Sequence, residues 1–170
     1  MAEQKGVKRT KKLATCALLT SLALIFSYVE FLLPISIGIP GIKLGLANIV
    51  VLISIYTLGA GSGLLINLAR ICLSALLFGN AFSVLYALAG GLISLGVMLL
   101  AKKAGVFSVI GVSMAGGVFH NLGQLLVAAL VMETGGIFYY FPVLLISGMI
   151  TGIVTGFIAV LALKSVRHIK

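Results

Sequence analysis

Arg70 stands inside an apolar run, with Asn67 three residues before it and Ser74 four after, a spacing that sets all three on one face of a helix. An arginine at the centre of a membrane helix costs roughly 2.5 to 3.5 kcal/mol on insertion scales, so such a residue marks a site that binds, pairs or relays charge. His120 and Gln124 share a second helical face by the i, i+4 relation, with Asn121 adjacent. Glu30 lies near the end of the first apolar run, and Lys43 and Asn48 lie at the start of the second. The chemistry open to these groups is hydrogen bonding and charge pairing, not bond-making. The chain has no Asp and only Glu3, Glu30 and Glu133, so it supplies no Asp-rich magnesium site. It contains neither a GxxxxGK[ST] phosphate loop nor an HExxH zinc motif, and its histidines are His120 and His168. No catalytic residue, metal-ligand set or cofactor motif is expected, and Cys16 and Cys72 sit apart in apolar runs as packing residues.

The elements that must hold these groups follow from composition. Of 170 residues, 61% are hydrophobic and 9% charged, with a mean hydropathy of +1.28, against roughly 25% charged residues in soluble domains. A water-soluble fold of this size could not hide so much apolar surface, and lipid is the solvent that fits. The expectation is an all-α polytopic membrane protein, a six-transmembrane-helix bundle forming one domain over 13–163, with basic tails at 1–12 and 164–170. Apolar runs at 13–33, 44–58, 63–78, 82–101, 106–131 and 139–163 supply the six helices. The second and third are short for a bilayer about 30 Å thick. Between them come a Pro/Gly-rich loop at 34–41, a glycine-rich turn at 59–63, and the pairs Gly79-Asn80 and Gly135-Gly136.

Charge distribution sets the expected orientation. Ten of the twelve basic residues fall in three clusters: Lys5, Lys8, Arg9, Lys11 and Lys12, then Lys102 and Lys103, then Lys164, Arg167 and Lys170. Six spans put all three on one side, which the positive-inside rule makes cytoplasmic, with both termini in the cytoplasm of a multi-pass cell-membrane protein. Clusters flanking apolar runs are topology signals, so no nucleic-acid partner is implied by the net charge of +9. The first run is read as a retained span, because at about 21 residues it exceeds a signal core and lacks a small-x-small exit site.

With that orientation Glu30, Asn48, Arg70 and Gln124 fall toward the outer side, and with Lys43, Asn67, His120 and Asn121 they could line an outward-opening solute pocket covered by the 34–41 loop. A second reading makes Arg70 and Glu30 a buried ion pair and the amides interhelical glue. Small-residue stripes at Gly148, Gly152 and Gly156 and at Ala14, Ala17 and Ser21 allow close helix approach, either within the bundle or at a partner's surface.

Further residues carry a resemblance. Lys11-Lys12-Leu13-Ala14 opens a first span ending Phe26-Ser27-Tyr28-Val29-Glu30, followed by Pro40-Gly41-Ile42-Lys43-Leu44-Gly45-Leu46-Ala47-Asn48, Arg70, Phe78-Gly79, and Gly117-Val118-Phe119-His120-Asn121-Leu122-Gly123-Gln124. These resemble the Gx transporter family, labelled heptaprenyl diphosphate synthase component I, which is similar to the S components of energy-coupling-factor (ECF) transporters. The resemblance implies an S-component-like bundle that binds a small-molecule solute, with Ala14, Ala17 and Ser21 docking on an ECF transmembrane subunit driven by ATPase subunits. The label implies at most a membrane partner in prenyl or quinone metabolism, and relatives also occur with flavin-based extracellular electron transfer systems, which together imply the alternative of a non-catalytic membrane subunit. Prenyl elongation itself requires Asp-rich motifs that this chain lacks.

Overall fold

Gly59 divides the second helix from the third, and Gly105 stops the fourth; a computed structural model of the chain describes residues 2–33 and 45–168. The first helix, α1 (Ala2–Leu32), runs 31 residues without a break, about 46 Å at helical rise. Its basic opening segment is therefore helical and continuous with the apolar run. α2 (Asn48–Thr57) has only 10 residues. α3 spans Ala60–Leu77, α4 Ala81–Ala104, α5 Val109–Val131 and α6 Phe141–His168, and a 3-10 segment at Gly135–Tyr140 leads directly into α6.

The helix ends have local causes. α4 opens on a capping box in which the Asn80 side chain accepts from Ser83 N at 2.8 Å and Ser83 Oγ accepts from Asn80 N at 2.9 Å. It closes on Gly105 at φ 74°, the left-handed conformation glycine takes without strain, with Lys102 and Lys103 in the last turn where positive charge suits the helix dipole. Ser108 caps α5 by accepting from Gly111 N at 3.1 Å. Between α2 and α3 the break is confined to Leu58 and Gly59, and the residues from Ala60 to Gly63 are already helical. The glycine-rich turn expected over 59–63 is thus a one-residue reversal at Gly59, φ 93°. Gly63 serves packing instead: a Cβ there would lie 3.2 Å from Ser54 Oγ.

Among the described residues, five helices are long and apolar enough to cross a membrane. The chain is a multi-pass helical membrane protein, and its second helix, α2, is about 15 Å long over the described residues. The expected bundle of six apolar helices is present, the second of them, as its short apolar run suggested, the shortest. A turn over Leu46 and Ala47, preceded by Gly45 at φ 81°, delays the start of α2, and Gly59 ends it early. α2 compensates by burial: Asn48 to Leu52, Ser54 and Ile55 are all buried, and the helix touches every other helix of the bundle.

Around α2 the apolar core divides by depth. One cluster joins Val51, Leu52 and Ile55 to Leu95, Met98 and Ala101 of α4, Val112 of α5 and Ala159 of α6, at the end that carries Lys102 and Lys103. A second joins Tyr86, Leu125, Ala128, Ile137 and Leu144 at the opposite end, and a third joins Cys16 and Ala23 of α1 to Val50 and Ile66. At that opposite end Tyr28, Phe31 and Phe78 also pack ring on ring, with centroids 5.3 to 6.4 Å apart. Aromatic rings at one end and lysines at the other fit the two interfaces of a bilayer.

α4, α5 and α6 pack backbone to backbone through glycine. Cβ atoms at Gly123 and Gly148 would lie 2.8 Å from Ala89 O and Gly117 O, and those at Gly152 and Gly156 would lie 2.5 and 2.8 Å from the Cα atoms of Met114 and Ile110. The stripe at Gly148, Gly152 and Gly156 is therefore an internal seam against α5, where Ser113 and Thr155 also share a 2.9 Å hydrogen bond. Gly152→Leu is expected to destabilise the detergent-solubilised protein by about 1 to 3 kcal/mol. Gly61→Ala, where a Cβ meets nothing within 4 Å, should be neutral or raise stability by a few tenths of a kcal/mol to about 1 kcal/mol. Thermal unfolding of the two variants side by side checks both signs.

Candidate functional site

The polar residues of the bundle are brought together by the diglycine Gly90-Gly91 in the middle of α4. On one side, a Cβ at Gly91 would lie 3.0 and 3.2 Å from Asn67 Nδ2 and Oδ1 of α3. On the other, a Cβ at Gly90 would lie 2.9 Å from His120 O, 3.0 Å from His120 Cε1 and 3.0 Å from Gln124 Cγ of α5. Any larger residue at 90 or 91 would push the two polar faces apart. From the third side Gly45 closes on His120, since a Cβ there would sit 2.9 Å from Asn48 Nδ2 and 3.1 Å from His120 Cδ2.

Arg70 is 4% exposed and Asn67 fully buried. The guanidinium donates from Nε at 3.1 Å and from Nη2 at 2.9 Å, both to Asn67 Oδ1. Because a guanidinium can only donate, the amide must present its oxygen to Arg70 and its NH2 away from it. That Asn67 Nδ2 and the Nδ2 of Asn48 are buried with no hydrogen-bond partner among the described residues. Two donations to Asn67 leave part of the five-donor capacity of Arg70 unused by that residue. In α5 the Gln124 side chain and His120 Nε2 lie 3.0 Å apart, whereas Asn121 faces the other way, donating from Nδ2 to Leu144 O of α6 at 2.8 Å.

Glu30 takes a different part. Its Oε1 accepts from the backbone N–H groups of Gly45 and Leu46 at 2.5 and 2.9 Å. It thus ties the C-terminal end of α1 to the turn that opens α2. Lys43 and the 34–41 loop lie outside the described residues.

Of the expected site residues, Asn48, Asn67, Arg70, His120 and Gln124 converge at mid-depth of the bundle, Glu30 anchors the entrance of α2, and Asn121 is spent on an interhelical bond. Arg70 and His120 lie near the middles of α3 and α5. Sequence reasoning missed Gly45, Gly90, Gly91 and the partner of Lys102. A Gly-Gly pair inside an apolar run was the available signal for the second and third, since glycine inside a helix carries a cost of about 1 kcal/mol against alanine and calls for a packing reason.

Ala14, Ala17 and Ser21 are exposed on α1, whose buried face is formed by Cys16, Ala23 and Ser27. α1 packs on α2 and α3 and leaves its opposite face, including Leu18 and Ile25, uncovered.

The fold and site define a polytopic helical membrane protein with a desolvated polar cluster at the centre of its bundle, and among the described residues no three His, Cys, Asp or Glu side chains group as metal ligands. The family model described as heptaprenyl diphosphate synthase component I matches residues 19–162, and the chain belongs to that family. Comparison with curated proteins and with solved structures gives no match.

The geometry separates glue from unspent donors. Asn121→Ala should lower stability by about 0.6 to 2 kcal/mol, the range for interhelical hydrogen bonds in membranes, because it removes the bond to Leu144 O. Asn48→Ala removes an amide nitrogen that bonds nothing among the described residues and should cost less. Unfolding of both variants in mixed micelles would measure the difference, and equal losses would count against the assignment.

Proposed function

We propose that the chain is the solute-binding membrane subunit of an uptake transporter, an S-component-like protein whose ligand sits among Asn48, Asn67, Arg70, His120 and Gln124. The observation that carries this reading is a buried guanidinium with hydrogen-bonding capacity left over, beside two buried amide nitrogens that are also unspent. Burying donors without acceptors is costly, and such costs are retained where a ligand repays them. Glu30 and Lys43 belong to the entrance in this scheme, Glu30 by holding the turn before α2 and Lys43 by its place two residues ahead of Gly45. Asn121 supports the α5 side of the site from behind.

The protein is not an enzyme in this reading. It binds, and energy for release on the other side comes from ATP hydrolysed by partner subunits. The uncovered face of α1, with Ala14, Ala17 and Ser21, is where an ECF-type transmembrane subunit would dock. Both termini and the α4–α5 connection lie in the cytoplasm, following the lysines and arginines, and the domain comprises 13–163 between basic ends.

The family's description supports a second reading, a non-catalytic membrane subunit that assembles with another synthase component in prenyl or quinone metabolism. A chain without Asp can serve such an assembly only as a partner. The two readings separate on ligand retention. Small molecules extracted from the purified, detergent-solubilised protein and identified by mass spectrometry should include one compound held by wild type and lost by at least about tenfold in Arg70→Ala, the worth of a charge-assisted hydrogen bond, with the helical content of both proteins unchanged. No retained compound, together with loss of fold in the variant, would favour the assembly subunit.

A further inference from the structure

A serine or threonine hydroxyl inside a helix has a default partner, the backbone carbonyl three or four residues back. Thr20, Ser54, Ser74 and Thr155 take it, donating to the carbonyls of Cys16, Val51, Ile71 and Gly152 at 2.7 to 3.2 Å. Ser27 does not. It is 2% exposed, and its Oγ bonds nothing among the described residues. Ser94 is in the same state, but it stands in the seam between α4 and α5, where a Cβ at Gly116 would lie 3.2 Å from its Oγ. A buried hydroxyl left unbonded carries a desolvation cost that the turn back to its own helix would remove.

The register between α1 and α2 shows what Ser27 lies against. At one end Glu30 Oε1 accepts from the N–H groups of Gly45 and Leu46, just ahead of α2. Further down, Cys16 and Ala23 of α1 share an apolar cluster with Val50, and Leu58 packs against it. The two helices are therefore antiparallel, and as α1 climbs from Cys16 to Glu30 its neighbours on the α2 side descend from Leu58 to Gly45. Ser27 is four residues past Ala23 and three before Glu30, on the helical face that carries both. It falls opposite Ala47 and Asn48, between the cluster and the Glu30 contact. Asn48 Nδ2 is itself buried with no partner among the described residues. Two unspent polar groups from two helices thus stand at one depth without bonding each other.

We propose that Ser27 is a further ligand-contacting residue of the solute site, its hydroxyl bonding the same solute as the Asn48 amide. The inference rests on the solute-binding reading and adds α1 to the helices that touch the ligand. A hydroxyl both donates and accepts, so Ser27 can meet an oxygen or an N–H of the solute, whereas the amide nitrogen of Asn48 only donates. A solute held by both bridges α1 and α2 one turn from the Glu30 contact. It joins to the site a helix whose opposite face, at Leu18 and Ile25, is uncovered.

The test uses the full chain in detergent. Small molecules extracted from wild type, Ser27→Ala, Asn48→Ala and Ser54→Ala are quantified by mass spectrometry, and thermal unfolding of each protein is followed after the retained compound has been washed out. Ser54 is the comparison, because its buried hydroxyl is already bonded to Val51 O. The expected result is one compound held equally by wild type and Ser54→Ala and reduced about two- to tenfold in Ser27→Ala, the worth of one neutral hydrogen bond. Washed Ser27→Ala should melt no lower than washed wild type, since an unbonded hydroxyl adds nothing to the cohesion of the bundle. Retention in Ser27→Ala equal to wild type, with loss in Asn48→Ala, overturns the inference and leaves solute binding standing. A washed Ser27→Ala that melts below wild type also overturns it, because the hydroxyl would then belong to the bundle's own bonding. Absence of any compound retained by wild type overturns both the inference and the solute-binding reading.

Discussion

A helix of 10 residues set in the centre of a membrane bundle can exist only if other helices satisfy its backbone ends, and much of this structure follows from that requirement. At the entrance of α2, Glu30 of α1 accepts the N–H groups of Gly45 and Leu46. At its exit, the Ile55 carbonyl accepts from Lys102 Nζ of α4 at 2.5 Å, while the Gly59 N–H turns to Ser54 O. Lys102 also lies 4.6 Å from the centre of the Tyr56 ring. A lysine at this end thus joins a cation–π contact to a helix C-terminal cap, both favourable at an interface of reduced polarity. The lysine counted as a topology signal also holds the central helix.

The short α2 leaves room that longer neighbours fill by close approach. α4, α5 and α6 come together through glycines, and the seam at Gly148, Gly152 and Gly156 is filled by the α5 backbone. In lipid no hydrophobic force drives helices together, so packing contacts and interhelical hydrogen bonds such as Ser113 to Thr155 and Asn121 to Leu144 O supply the cohesion. α1 stands outside this arrangement, covered among the described residues by α2 and α3. The bundle is consequently asymmetric, tight where α5 is enclosed and open along α1.

The polar cluster inherits its position from the same packing. Gly90 and Gly91 present bare backbone to α5 and α3 in turn, so His120 and Asn67 approach one helix from two sides. An alanine at either position would strike one of the polar side chains, which makes the diglycine a condition for the site and not only for the fold.

Much of this protein was legible in its sequence. Composition alone required lipid as solvent, helical periodicity placed Arg70 with Asn67 and His120 with Gln124, and Pro34, Asn80, Gly105 and Ser108 marked helix ends through local chemistry that needs no distant partner. What depended on tertiary structure was everything set by contacts across the chain. The apolar run at 44–58 is continuous in sequence, yet Gly45 and Gly59 cut it to Asn48–Thr57, and only its enclosure by five helices makes so short a piece stable. Asn121 and Gln124 are alike as amides three residues apart, but one faces α6 and the other faces His120. Glu30 could equally have met Arg70 directly or a backbone turn, and its carboxylate oxygen accepts from the backbone at Gly45 and Leu46. Spacing along a helix determines which side chains share a face; which neighbour that face meets is decided by how closely the backbones can approach, and here glycine decides it.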